Sequence, residues 1–217
     1  KAEAMEFMGI KEEVELSALY ESYVAECQKS AIQYGMNTPG YYANLGKSQL
    51  ARQVLYHHSD WARIWDSYVL QIIKGSVAAK CLDFGCGSAP LSFHFLHMGH
   101  EVHFIDIDGA YAYEFTKWRV TKHGLDDRAH YNWPDEDSCN YALFCDSIEH
   151  MEDWQTPLLR AINCLKEGGF IISNFPMLKD VGENSEHIFT DKGEWAKFMF
   201  NNNMHPMSST AWQKKLL

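Results

Sequence analysis

Between residues 75 and 175 the chain alternates short apolar runs with amphipathic stretches. The runs at about 78–84, 101–106, 128–132, 140–145 and 169–175 read as strands, and the segments near 90–98, 109–123 and 154–166 read as helices. His123-Gly124 closes the second helix with a glycine cap. This alternation predicts an α/β, Rossmann-like, doubly wound and mostly parallel sheet.

Residues 1–74 show no strand alternation. Met5, Phe7, Met8, Ile10, Val14, Leu16, Leu19, Tyr20, Tyr23 and Val24 approximate a helical period, which predicts a helix ending near Gly35. Thr38-Pro39-Gly40 marks a turn, and 41–45 reads as a loop. From Lys47 to Ile73 the pattern is helical again, broken near His57-His58-Ser59-Asp60. The expected organisation is therefore a helical cap over 1–74 and a core over 75–217. Beyond Phe175 the sequence is irregular around Pro176 and Gly182. It then predicts a helix from Asp191 to Asn201, capped by Thr190 or Asp191, and a closing antiparallel hairpin from Met204 onward.

The chemistry concentrates after the first strand, in Lys80-Cys81-Leu82-Asp83-Phe84-Gly85-Cys86-Gly87-Ser88-Ala89-Pro90. A dinucleotide loop sets a pyrophosphate on a helix N-terminus, keeps a third glycine and avoids a carboxylate beside the phosphates. Here Pro90 stands at the third glycine position and Asp83 just before the loop. A carboxylate there repels phosphate but suits a ligand with an ammonium group and a sulfonium. Asp106, at the end of Glu101-Val102-His103-Phe104-Ile105-Asp106, is placed to accept hydrogen bonds from a ribose.

Asp83-Phe84-Gly85-Cys86-Gly87 resembles the first motif of class I S-adenosylmethionine-dependent methyltransferases, and Val102-His103-Phe104-Ile105-Asp106 resembles their second. Tyr141-Ala142-Leu143-Phe144-Cys145-Asp146-Ser147-Ile148-Glu149-His150 is similar to the fourth strand and the Glu-His signature of many small-molecule members. Leu165-Lys166-Glu167-Gly168-Gly169-Phe170-Ile171-Ile172 is similar to the turn before their fifth strand. The resemblance implies a seven-stranded core under an N-terminal helical lid, S-adenosyl-L-methionine as cofactor and S-adenosyl-L-homocysteine as product. Cofactor contacts would come from Asp83, Gly85, Cys86, Gly87, Asp106, Ile107, Asn132, Trp133, Cys145 and Asp146. Asn132 or Asp135 would bond the adenine amino group and Trp133 would stack on the ring, or else Trp133 wedges into a surface loop.

Methyl transfer from a sulfonium is an in-line displacement, so the protein aligns a nucleophile and removes its proton where it carries one. His150, after the fourth strand, and His187, near Glu183 and Glu186 after the fifth, are the candidate bases; each is also readable as a structural or solvated histidine. His94, His97, His100 and His103 invite a metal reading, but a Gly99 turn divides them, and no metal is expected.

A formal net charge of −10 disfavours a phosphate-rich partner held on a basic face, so no nucleic acid is expected. The Asn/Asp-Pro-Pro-Tyr/Phe tetrad of many nucleic-acid amino methylases is also missing. Six cysteines without a Cys-x-x-Cys pair, and no apolar run of bilayer length, favour reduced thiols and a cytoplasmic protein that meets no membrane. The function expected is methyl transfer to an oxygen or nitrogen of a small molecule. A protein or RNA acceptor, and a non-catalytic S-adenosylmethionine-binding domain, are the alternatives.

Overall fold

The computed structural model describes residues 1–73, 75–175, 187–188 and 191–215. Pro176, Gly182, Glu183, Glu186 and Thr190, singled out in the sequence, lie outside them. Packing divides the chain into two interleaved units. A helical unit holds Lys1–Gly75, Cys86–His97 and Asp106–Asp127; a sheet unit holds Ser76–Gly85, Met98–Ile105 and the chain from Arg128 onward.

The sheet unit contains β1 (Lys80–Phe84), β2 (Glu101–Ile105), β3 (Ala129–His130), β4 (Cys139–Phe144), β5 (Leu165–Ser173), β6 (Met204–Pro206) and β7 (Ala211–Lys214). Their order is β3-β2-β1-β4-β5-β7-β6. The first five pair in parallel, while β7 runs antiparallel to β5 and β6 antiparallel to β7. The expected closing hairpin is present, tied at its base by Ser173 N–H donating to Thr210 C=O at 2.9 Å. Central strands are apolar because both faces are covered: Cys81, Leu82, Ala142, Leu143 and Phe144 are all buried. Helix α8 (Gln155–Cys164) contributes Leu158, Ala161 and Ile162 to that core, and α9 (Lys192–Asn201) contributes Trp195 and Met199. Asp191 caps α9, its carboxylate accepting from the N–H groups of Gly193 and Glu194 at 2.8 and 2.9 Å.

Two boundaries differ from expectation. β3 is only two residues long, since Tyr131 and Asn132 turn out to solvent. β5 begins at Leu165, because Leu165 already pairs with Cys139 before the irregularity in register between Cys139 and Tyr141. The helix expected to reach 166 therefore stops at Cys164.

The helical unit contains α1 (Ala2–Met8), α2 (Glu13–Tyr34), α3 (Pro39–Ala43), α4 (Gly46–Tyr56), α5 (Asp60–Ile73), α6 (Pro90–His97) and α7 (Tyr111–Lys122). The single helix expected up to Gly35 is split. Gly9 takes a left-handed φ of 70° and ends α1, and Glu15 restarts the chain by accepting from the N–H groups of Lys11 and Glu12 at 3.0 and 2.9 Å. The expected loop at 41–45 is mostly helix α3. Thr38 Oγ1 accepts from Tyr41 N–H at 3.1 Å, Pro39 sits in the first turn, and Tyr41 is buried with Tyr23 and Leu45.

Helix α1 is fastened to α7. Phe7 lies against Tyr111, Phe115 and Trp118 with ring centroids 5.2, 5.4 and 5.5 Å away. Glu3 accepts from Arg119 Nε at 3.1 Å and pairs with His123, while Glu6 pairs with Lys122. Among the described residues, no helix is long and apolar enough to cross a membrane.

Burial alone would raise the Glu3 carboxyl, but the hydrogen bond from His123 and the charge of Arg119 outweigh it and hold the pKa below its ordinary 4.5. A depressed carboxyl stabilises the fold fully above its unfolded pKa and ceases to do so as pH falls through the folded value. Glu3→Gln should therefore lower stability by about 0.5–1 kcal/mol at pH 7, with the deficit closing toward pH 3 in urea denaturation series. A deficit that stays constant over that range would contradict this account of the α1–α7 contact.

Candidate functional site

The loop after β1 spends its backbone donors internally. Gly85 N–H donates to Ile105 C=O at 2.8 Å, Gly87 N–H to Asp106 Oδ2 at 2.6 Å, Ser88 N–H to Gln53 Oε1 at 2.9 Å, and Ala89 N–H to Cys86 C=O at 2.7 Å. Residue 90 is proline and has no N–H to give. A pyrophosphate needs such donors at a glycine loop, so this loop is ill suited to a dinucleotide.

The glycines answer two different demands. Gly85 has φ 69°, and a Cβ there would stand 2.5 Å from Ser147 Cβ, so the missing side chain admits the chain that follows β4. Above Gly87 a Cβ would meet the Gln53 amide at 2.7 Å, which is the movable end of a side chain.

Within the helical unit, Cys86, Gly87, Asp106 and Ile107 are brought together. The Asp106 carboxylate accepts from Gly87 N–H through one oxygen and from Ile107 N–H, at 2.7 Å, through the other. Burial pushes its pKa up, and those two backbone bonds work against the rise. A carboxylate offers about four lone-pair directions, and with the Cys86 thiol also acting on this one, capacity remains for a further donor such as a ribose hydroxyl. These residues fit a nucleoside bearing a diol.

In the sheet unit, Asp83 is buried within β1, opposite Phe104 of β2 and Leu143 of β4. Cys145 and Asp146 follow β4, and Asp146 is clasped to Asn174: its N–H donates to Asn174 Oδ1 at 3.0 Å, and Asn174 Nδ2 donates back to its carboxylate at 2.9 Å. Asn132 is exposed, with its amide turned to Trp133 C=O at 3.1 Å and its own carbonyl facing His103 Nδ1 at 2.8 Å. Trp133, next along the chain, is partly buried. Its ring is packed against the core beside Phe84, with centroids 5.5 Å apart, and the Arg160 guanidinium sits 4.3 Å over it.

The candidate bases do meet. The His150 and His187 rings stand edge to face with centroids 4.9 Å apart, and Glu149 joins them, with one ligand atom from each of the three lying within 4.8 Å of the others. Glu149 is 1% exposed on the one-turn 3-10 helix Ile148–His150, and among the described residues neither carboxylate oxygen has a hydrogen-bond partner. The N–H groups of Ser147 and Glu149 itself are the donors oriented toward that carboxylate, and they fall short of bonding geometry. Burial, and after it the negative charge of Asp146, push the Glu149 carboxyl up to about 8. Of the other histidines singled out in the sequence, His97 packs edge-on against Phe93 and His123, and His100 Nδ1 accepts from Ala79 N–H at 3.1 Å.

Three contributors were not assigned a role from sequence. Gln53 lies mid-helix with no local signal, and Asn174 is a lone amide after an apolar strand. Glu149 was visible as half of a Glu-His pair, yet its burial depends on the fold.

Gly85→Ala should cost about 2–4 kcal/mol in chemical denaturation, from strained φ plus the Ser147 clash, and Gly87→Ala about 1–2 kcal/mol, from its own φ of 49° and the Ser88 hydrogen bond given up as Gln53 moves. Equal costs at the two positions would contradict the contacts given above. Glu149 has a folded pKa above its unfolded one, so the folded state keeps a proton that the unfolded chain has already released. Stability therefore falls as pH rises from about 4.5 to about 8. With a chelator present, Glu149→Gln should flatten that slope and be the more stable form at pH 8–9, by on the order of a few kcal/mol. A variant less stable than the parent there would refute the buried, unpartnered carboxylate.

Residues 82–171 match the family model described as a methyltransferase domain. No curated protein matches the sequence. Among solved structures, the 1,6-didemethyltoxoflavin-N1-methyltransferase of Burkholderia thailandensis is similar with TM-score 0.58 and 14% identity, covering 78% of this chain and 84% of that one. The geranyl diphosphate C-methyltransferase of Streptomyces coelicolor aligns with TM-score 0.57 and 14% identity over 75% of this chain and 67% of its own. The YcgJ protein of Bacillus subtilis aligns with TM-score 0.54 and 12% identity over 66% of this chain and 69% of its own. At such identities the likeness to these structures is one of fold. The stretch matched by the family model runs from within β1 into β5 and so takes in the five parallel strands of the sheet.

Proposed function

We propose that the protein methylates an oxygen or nitrogen of a small-molecule acceptor. The observation that supports this best is the meeting of Glu149 and His150, on the turn after β4, with His187, in the chain beyond β5, on the side where open α/β sheets place their ligands. S-adenosylmethionine supplies a methyl group already activated by the sulfonium charge. The chain has two tasks left, which are to orient the acceptor and to manage its proton.

Asp106 holds the ribose through the lone pairs its backbone partners leave open, and Ile107 lies beside it. Asp83, ahead of the loop, favours the donor's positive charges over a phosphate. Cys86, Gly87, Cys145 and Asp146 complete the donor contacts. His150 or His187 accepts the acceptor's proton, imidazole being the side chain whose ordinary pKa lies nearest neutrality. A small acceptor accords with the net charge of −10, which offers no broad basic face to a polyanion.

The test has two arms. In calorimetry, Asp106→Ala should weaken S-adenosylmethionine binding by about 1–3 kcal/mol with far-UV dichroism unchanged. A pool of metabolites incubated with methyl-labelled donor should yield a labelled small molecule, and that labelling should fall in His150→Ala or His187→Ala. Donor affinity untouched by Asp106→Ala would remove the ribose assignment. Label entering only protein or RNA would overturn the acceptor class.

A further inference from the structure

We infer that Glu149, His150 and His187 form a binding site for a first-row divalent transition-metal ion such as Zn2+ or Mn2+. The three residues come from two places in the sheet unit. Glu149 and His150 lie on the turn after β4, and His187 lies in the chain beyond β5. The two segments are tied by Ile188 N–H donating to the Glu149 C=O at 2.7 Å. That bond fixes the backbone from which His187 projects.

Glu149 is the feature that calls for a cation. Its carboxylate is almost wholly buried, and among the described residues neither oxygen has a hydrogen-bond partner and the charge that acts on it is the carboxylate of Asp146. Among the described residues no ion pair includes it. Buried carboxylates are ordinarily paired or bound to a metal, because desolvation of an isolated one is costly. A divalent ion would supply the missing positive charge and convert the repulsion from Asp146 into attraction.

The donor set selects the class of ion. Two imidazole nitrogens and one carboxylate oxygen suit borderline metals, whereas Mg2+ and Ca2+ prefer oxygen ligands throughout. Metal–ligand bonds of about 2.0–2.2 Å place neighbouring ligand atoms about 3.0–3.5 Å apart. The ligand atoms already lie within 4.8 Å of one another, so binding an ion would draw them together by about 1–2 Å. Three protein ligands leave at least one coordination position open, as in catalytic rather than structural sites. That position suits water or, on the function proposed above, the heteroatom of an acceptor, whose proton the ion would make more acidic while one histidine gives up its role as base to ligate the metal.

The experiment uses the full chain, stripped with a chelator and titrated separately with ZnCl2, MnCl2 and MgCl2 in a calorimeter. One Zn2+ or Mn2+ per chain is expected, with Mg2+ weaker by tenfold or more. Glu149→Gln and His187→Ala should each reduce the transition-metal affinity by about tenfold or more, with far-UV dichroism unchanged. His97→Ala should leave it unaltered. A stoichiometry near zero would overturn the inference, as would binding that survives both ligand substitutions or disappears with His97→Ala. If Glu149→Gln failed to fold, His187→Ala, at a half-buried position, would decide alone. S-adenosylmethionine affinity is measured on the same samples, so a chain that binds metal but no donor would refute the methyl-transfer reading and leave the metal site standing.

Discussion

Register among four parallel strands is the constraint on which the candidate site depends. Phe84 of β1 lies level with Ile105 of β2 and with Phe144 of β4, and Phe144 lies level with Ser173 of β5. The chain therefore leaves each strand at the same edge. The residues that follow are Gly85, Asp106, Cys145 and Asn174, the starting points of every segment that carries chemistry. Because side chains alternate along a strand, a slip of one residue would turn Asp83 to the opposite face. Packing of Leu82, Ala142 and Phe144 against the helices resists such a slip.

Electrostatics then narrows the ligand. The glycine loop has committed the N–H groups of Gly85, Gly87, Ser88 and Ala89 to oxygens of the chain itself, one of them on Asp106. A phosphate approaching it would meet a carboxylate and few donors. Asp106 is shaped by opposing influences, burial favouring its neutral form and two backbone hydrogen bonds favouring the charged one. Burial, and after it the charge of Asp146, raise the Glu149 carboxyl much further, and the N–H groups of Ser147 and Glu149 offset little of that rise. Two acids in one domain, one bonded and one bare, are suited to different partners.

The sheet, its crossover helices and the closing hairpin were legible because their signals are local: apolar runs of strand length, glycine turns, and an aspartate before a helix at Asp191. Asp83, next to last in β1, and Asp106, just after β2, were legible for the same reason, since each stands at a strand's end. What the sequence hid depends on partners far along the chain. Trp133 reads as a free aromatic until Arg160, on α8, is seen to cover its ring. Gln53 has no motif, and its contact with Ser88 exists only because α4 packs where it does. The split at Gly9 and the short helix at Pro39–Ala43 were missed because helical periodicity runs through the first and a turn signal masks the second. Glu149 sits beside His150 in the sequence, but nothing local shows that no donor reaches its oxygens.

The central claim is that this loop and its neighbouring acids receive a cationic nucleoside rather than an anionic dinucleotide. Parallel calorimetric titrations of the unmodified chain with S-adenosylmethionine and with NADH test it most directly. The account predicts saturable one-to-one binding of the first and no measurable heat from the second. Binding of NADH, or silence toward S-adenosylmethionine in a folded sample, would contradict it.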